Sequence, residues 1–315
     1  MQVLRRGAKA VSIDLETIRT RGGQRWHAAC SDNLPMTTAD ANTWILGLDL
    51  GDRSRGAVCC ANWLAGPDHT LAIHVMELWT RAHIRTDAIS TVRDVVRNLA
   101  REMHVPPPVR VSVIDADSAE EGLVRASEGA AGLVIGRAAG RREETPWALG
   151  HVARHILRRL PCPVIVVPRD LSEIAPGPIL LATDLDVSSL AAVGFARELA
   201  MKQGRELLVV YVGETRYSDL VDDLDPSWRR ARDAYCEELE LAAHRWMTDH
   251  ALIGRPRIVY GNVVDELRTL AVATQAAMVV VGSRRLGTAG RIFLGSTASA
   301  LAGHAVCPVA VVASL

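Results

Sequence analysis

Lysine is nearly missing from this chain. Of its 36 basic residues only Lys9 and Lys202 are lysine, and neither follows a glycine. A phosphate loop of the G-x-x-x-x-G-K type is thereby excluded, so any phosphate must be held by backbone amides or arginine. Net charge is missing as well, because 36 acidic residues balance the basic ones. No global field draws such a molecule to nucleic acid or to an anionic membrane, and neither is an expected partner. Nowhere do about eighteen apolar residues run together, the length a membrane span needs. The pair Arg5 and Arg6 is followed by Gly7, Ala8 and Lys9 instead of the apolar stretch of a secretory leader, so the cytoplasm is the expected compartment. Six cysteines without a C-x-x-C pair suit a reducing environment. Cys162 and Cys307, each before a proline and an apolar run, are expected as small buried core residues. G-x-S-x-G and H-E-x-x-H are also absent, which leaves esterase and zinc-protease chemistry without support.

What is present is a 315-residue chain, 49% hydrophobic and 23% charged, long enough for two domains. Residues 1–42 lack the apolar runs found later and carry Arg-Gly-Gly and Leu34-Pro35 punctuation, so they read as a loosely ordered extension, with Met36 a candidate true start. From Trp44 onward the sequence repeats itself. Trp44-Ile-Leu-Gly-Leu-Asp49 answers to Ile179-Leu-Leu-Ala-Thr-Asp184, the two aspartates lying 135 positions apart. Leu133-Val-Ile-Gly136 answers to Val279-Val-Val-Gly282, Gly150 to Gly295, and the segment Cys162-Pro-Val-Ile-Val-Val167 to Cys307-Pro-Val-Ala-Val-Val312. The second copy is the longer one, and the extra residues are expected in the acidic segment from Asp219 to Asp225.

Continuous apolar runs such as Leu207-Leu-Val-Val-Tyr-Val212 suit strands buried on both faces of a parallel sheet. Amphipathic stretches separate them. One is a helix expected over 188–203, with Asp186 or Ser188 as its cap and Gly204 as its stop. Asp225-Pro226 marks another helix start, which makes Asp219, Asp222, Asp223 and Asp225 an exposed lead-in and not a calcium loop. The expected fold class is α/β, two tandem doubly wound domains of five parallel strands each, spanning 43–169 and 176–315 with a proline-flanked linker over 169–177.

Ligands of open parallel sheets bind outside the carboxyl ends of strands, where the strand order reverses. In each copy an aspartate follows the first strand, Asp49 or Asp184, and a glycine follows the fourth, Gly136 or Gly282. The aspartates have two readings, a capped loop or a ligand contact. In the second copy the loop runs from Gly282 to Gly295-Ser296-Thr297 at a helix start, which would offer amides, hydroxyls and a positive helix end to an anion. Arg284, Arg285 and Arg291 lie in this loop, and residues 283–294 include no carboxylate.

The aspartate after strand one, the fourth-strand glycine, the Gly-Ser before a helix and the closing Cys-Pro-Val strand together resemble the universal stress protein family, over residues 43 to 315. The resemblance implies a strand order of 3-2-1-4-5 and a loop written G-x2-G-x9-G-[S/T]. It further implies ATP, with or without magnesium, with adenine and ribose near Asp184 and the backbone around Val212, and phosphates along Gly282, Gly295, Ser296 and Thr297. The last strands, after Cys162 and Cys307, would pair the two halves as an intramolecular pseudo-dimer, and a homodimer of whole chains is compatible with this.

Two departures bear on function. Arg285 stands at the middle glycine of the second copy, where Gly287 is the candidate replacement through a shifted loop. The first copy reads Gly136-x3-Gly140-x9-Gly150-His151, one residue too long, with His151 in place of the hydroxyl and with Glu143 and Glu144 offsetting Arg141 and Arg142. Copy two is the better nucleotide site, and copy one reads as a degenerate partner. His151 and His155 share a helix face but read as a solvated or core-edge pair, not metal ligands.

No general base or acidic metal cluster accompanies the loop, so binding with slow or absent hydrolysis is expected, and not an enzyme. The expected role is stress response through a nucleotide-dependent change in the surfaces shown to a protein partner. The competing reading is a nucleotide-free tandem scaffold for protein–protein contacts. A nucleotide-cleaving α-hydrolase relative ought to carry a Ser-Gly-Gly loop after strand one, which Asp49-Leu-Gly-Asp and Asp184-Leu-Asp-Val do not supply.

Overall fold

The computed structural model describes residues 40–51, 53–77, 85–137, 149–213, 226–254, 256–283 and 296–314. They belong to the unit Thr37–Leu315; a second unit, Met1–Met36, lies outside the described residues, as do nearly all of the expected extension and the acidic segment from Asp219 to Asp225.

The first half runs β1 (Trp44–Leu48), α1 (Ser54–Ala65), β2 (Thr70–Glu77), α2 (Arg85–Glu102), β3 (Arg110–Ala116), α3 (Ala119–Ser127), β4 (Gly132–Gly136), α4 (His151–Arg159) and β5 (Val164–Val167). The second half repeats this order with β6 (Ile179–Ala182), α5 (Leu190–Gln203), β7 (Leu207–Gly213), α6 (Pro226–Asp249), β8 (Arg257–Tyr260), α7 (Val263–Ala273), β9 (Met278–Ser283), α8 (Ser296–His304) and β10 (Val309–Ala313). All ten strands form one sheet in the order β3-β2-β1-β4-β5-β10-β9-β6-β7-β8. Each half therefore has the order 3-2-1-4-5, parallel throughout. The halves meet where β5 and β10 pair antiparallel, Val164 opposite Val311, Ile165 opposite Ala310 and Val166 opposite Val309.

Sequence pattern explains which strands lie where. The apolar runs of β1, β4, β5, β9 and β10 are buried on both faces in the middle of the sheet, whereas the outermost strands β3 and β8 are only half-buried. Alternate residues feed two cores. Ile45, Leu133, Val164, Val166, Val279 and Val309 pack under one set of helices, represented by Ile156, Leu267 and Leu301. Leu46, Val134, Ile165, Val280 and Ala310 pack under the other, represented by Val58, Val96, Val193 and Trp246. Each core contains side chains from both halves, so the seam lies inside the hydrophobic interior. Burial pushes the thiols of Cys162 and Cys307 up to about 12 and raises that of Cys60 well above its usual value; Cys307 is a buried core residue as expected, whereas Cys162 is only half-buried against the core.

Local signals place the helices with two differences from expectation. The helix expected over 188–203 begins at Leu190, preceded by a 3-10 turn, Val187–Ser189, whose first amide bonds the Asp186 carboxylate at 2.7 Å. Its stop is as read, with Gly204 in the left-handed region at φ 59°. The greater length of the second copy lies in part inside a helix, since α6 has 24 residues where α2 has 18. Pro226 opens α6, consistent with a ring that presets φ and an amide the first turn does not use. No helix among the described residues is long and apolar enough to cross a membrane.

Ile165 is fully buried at the seam. Ile165→Ala should lower stability by about 2–5 kcal/mol, and, because both cores cross the seam, urea unfolding should remain one transition by fluorescence and circular dichroism. Two separated transitions would show that the halves unfold independently.

Candidate functional site

The strand order reverses between β1 and β4 and again between β6 and β9, so a crevice opens at the carboxyl end of each pair. The antiparallel seam puts these two crevices on opposite edges of the sheet. Both expected aspartates stand there, immediately past the first strand of their half.

The turn after each aspartate is built alike. The Ser189 hydroxyl donates to Asp184 Oδ1 at 2.8 Å and the Asp186 amide reaches the same oxygen at 3.3 Å. In the first half the Ser54 hydroxyl donates to Asp49 Oδ1 at 2.8 Å and the Gly51 amide at 2.9 Å. Leu185 and Leu50, the residues after the aspartates, both have φ 60°. A side chain in that region costs about 1–2 kcal/mol, and the bonds to the carboxylate offset part of it. Each aspartate is thus a clamp for its own turn, whatever else it touches. In the first half Arg53 adds an ion pair, its Nε 3.8 Å from Asp49 Oδ2. Ser54 and Ser189 are buried and were not expected to matter. The repeat does align them, at the same spacing of 135 that relates the aspartates.

The two fourth-strand glycines differ in why they are glycine. A Cβ on Gly136 would clash with the Arg53 carbonyl oxygen, so the turn leading into α1 rests on bare backbone and excludes every side chain. A Cβ on Gly282 would meet the Ser188 carbonyl at 3.3 Å, tighter than ordinary contact by a small margin, and Ser189 Cα at 3.5 Å, an ordinary one. Packing therefore accounts for Gly136 outright and for Gly282 only in part.

On the side of β6 away from β9 runs β7. The ladder between them ends with Ala182 opposite Val210, and the Thr183 amide bonds the Val210 carbonyl at 3.0 Å. Parallel ladders alternate, so the peptide groups of Val212 turn to the same side as those of Val210, into the space beside Asp184. Gly282, Asp184 and Val212 thus stand at the carboxyl ends of three successive strands, β9, β6 and β7. The structure places Ser296, exposed, and Thr297, half-buried, at the amino end of α8, the helix that follows β9. Arg285, Gly287 and Gly295 lie outside the described residues, as does Gly140. In the first half Asp49 and Gly136 face the crevice between β1 and β4, and Gly150 is the N-cap of α4, with no side-chain bond to the first amides. His151, the next residue, is exposed, with Nδ1 3.6 Å from Glu120 Oε1.

Among the described residues no group of three or more histidine, cysteine or acidic side chains converges as metal ligands would. A cleft of about 360 Å³ lined by Pro176, Gln203, Arg205 and Glu206 lies at the opposite, amino ends of β6 and β7. It is not where a doubly wound sheet places a ligand.

Comparison with known proteins agrees with this fold. A model of the universal stress protein family matches residues 44–168 and again 177–313. A Thermus aquaticus protein described as a universal stress protein in the QAH/OAS sulfhydrylase 3′ region is 32% identical over 139 residues, 42% of this chain and 96% of that protein. Among solved structures, a universal stress protein from Archaeoglobus fulgidus superposes with a TM-score of 0.59 at 16% identity, covering 87% of this chain and 99% of that one. A putative universal stress protein from Pseudomonas aeruginosa gives 0.59 at 18% identity, covering 87% and 94%. At such identities the structural likeness speaks for the fold.

The two glycines generate different expectations. Gly136→Ala should cost about 1–3 kcal/mol through overpacking against the Arg53 carbonyl and lower the melting temperature by several degrees. Gly282→Ala, where the Ser188 carbonyl need give only slightly, should shift the melting temperature clearly less. Equal melting shifts would contradict the distinction.

Proposed function

Because this chain belongs to the universal stress protein family through both of its halves, we propose that it binds ATP in the crevice of its second half and uses occupancy to change the surfaces it presents to a protein partner. The observation that carries this reading is that Gly282, Asp184 and the Val212 backbone stand at the carboxyl ends of three successive strands, β9, β6 and β7, beside the strand-order reversal, with a helix beginning in Ser296 and Thr297 after β9.

Asp184 and the Val212 peptide groups would take adenine and ribose. Gly282, by lacking a side chain, lets backbone approach the phosphates. Ser296 and Thr297 add hydroxyls to the amides at the positive end of α8. The sequence has no P-loop lysine, so neutralisation would fall to these groups and to arginine. Magnesium, where present, would be held mainly by phosphate oxygens, since Asp184 already clamps its own turn. Nothing among the described residues serves as a general base, and we assign binding with at most slow hydrolysis, in the cytoplasm.

A nucleotide-free scaffold is the better reading for the first half considered alone. There the Arg53 carbonyl explains Gly136 without a ligand, and His151 replaces the hydroxyl at the helix start.

Denaturing the purified protein and chromatographing the supernatant should release ATP or ADP. Calorimetry on nucleotide-stripped protein should give saturable binding, weakened at least about tenfold by Ser296→Ala with Thr297→Ala through the lost phosphate hydrogen bonds. No released nucleotide and no heat at millimolar ATP would transfer the whole chain to the scaffold reading.

A further inference from the structure

Past Val210 the sheet holds the tip of β7 from the β8 side. The register of β7 with β6 ends at Val210, whereas its register with β8, the outermost strand, runs on through Val212 opposite Val259 and Gly213 opposite Tyr260. One more bond closes that ladder, from the Gly261 amide to the Gly213 carbonyl at 3.1 Å. The Val212 peptide groups turn the other way, into the space beside Asp184. Where the Val212 carbonyl points depends on the peptide that joins it to Gly213, and glycine is the residue whose backbone turns most freely.

Tyr260 takes that freedom away. A Cβ on Gly213 would lie 2.8 Å from Tyr260 Cδ1 and 2.9 Å from Cε1, so the aromatic ring occupies the place of the missing side chain. Leu239 of α6 stands next to it, 3.8 Å from the same point. The ring is fixed at its far end as well, where the Tyr260 hydroxyl and the Cys236 thiol of α6 are hydrogen-bonded. Burial and this bond raise the hydroxyl above its usual pKa, so it stays protonated at neutral pH. The first half is built differently at this place. Trp44 opposite Thr70 corresponds to Ile179 opposite Leu207, so Gly213 and Tyr260 answer to Met76 and Asp115, a pair without glycine or ring.

An adenine edge offers an amino donor beside a ring-nitrogen acceptor, which a backbone carbonyl and amide facing the same way satisfy together. Guanine offers the reverse, a carbonyl acceptor beside a ring N–H, and would leave both backbone groups unpaired. Such discrimination lasts only while the carbonyl keeps its direction. With the second crevice read as the nucleotide site, on which this rests, we propose that Tyr260 is a positioning residue that sets the base selectivity of that site. Its ring, pressed on Gly213 and held by Cys236, keeps the Val212 carbonyl and amide aimed as adenine requires. It acts through the backbone and takes no part in holding phosphate.

The test uses the full chain, stripped of nucleotide, with ATP and GTP as probes in calorimetry. Wild type should prefer ATP to GTP by at least about tenfold, the worth of a hydrogen bond left unmade. Tyr260→Leu should bring the preference to within about twofold, mainly by weakening ATP. Tyr260→Phe and Cys236→Ala keep the ring and lose the bond at its far end, and each should lower the preference about threefold. These two carry the test if Tyr260→Leu fails to fold. Amide exchange of a peptide covering residues 207–213, read by mass spectrometry without nucleotide, should quicken in the same order. If wild type takes up no ATP, this inference and the proposed function fall together. If ATP binds but without preference over GTP, or with a preference that none of the three variants lowers, only this inference falls. A loss of ATP and GTP affinity in equal measure leaves the preference intact and overturns it too.

Discussion

The antiparallel pairing of β5 with β10 is the constraint on which the rest of the molecule depends. Without it each half would end in an apolar strand with an open edge, a form prone to pairing with another chain. With it, ten strands share one sheet and two cores, each drawing side chains from both halves. The seam buries Val164, Ile165 and Val166 against Val309, Ala310 and Val311. The linker over 169–177 keeps the pairing intramolecular and so spares it the entropy of bringing two chains together. The same pairing sends the two crevices to opposite edges and brings Arg137 of the first half to the Ala305 carbonyl, at the carboxyl end of α8.

Duplication has left the two crevices with a common frame and different chemistry. Both keep an aspartate, a left-handed leucine and a buried serine, because those groups hold the turn after the first strand. They diverge where a ligand would be met. The first half has a glycine required by packing, a histidine at the helix start and an arginine drawn across the seam. The second has a glycine under less steric pressure and two hydroxyl residues at its helix start. In the first half, packing and inter-half contacts account for residues that stand where a ligand would be met.

Much of the fold was legible in the sequence for a physical reason. Strands buried on both faces must be apolar throughout, so their runs mark them, and a repeat of such runs with helix-length spacers leaves few topologies open. Helix limits were less legible. The α5 start moved from 188 to Leu190 because Asp186 caps a 3-10 turn first, a choice between two local bonds that spacing does not decide. Of the candidate site residues, Asp184, Val212 and Gly282 stand at the carboxyl ends of three successive strands, while Arg285, Gly287, Gly295 and Gly140 fall on residues that are not described. Ser54 and Ser189 were available from the same alignment as the aspartates, but serine near a helix start is too common to draw notice alone.

By itself the sequence determined the α/β class, the duplication, the strand order of each half through its resemblance, and the absence of a lysine-based phosphate loop. These follow from local patterning and composition, which are properties of the chain one segment at a time. Only the tertiary structure decided why Gly136 is glycine, that Asp49 and Asp184 clamp their own turns, and that Arg137 reaches Ala305 from 168 positions away. Those are distances between backbone segments that meet only after the sheet has closed across its seam, and no spacing along the chain encodes them.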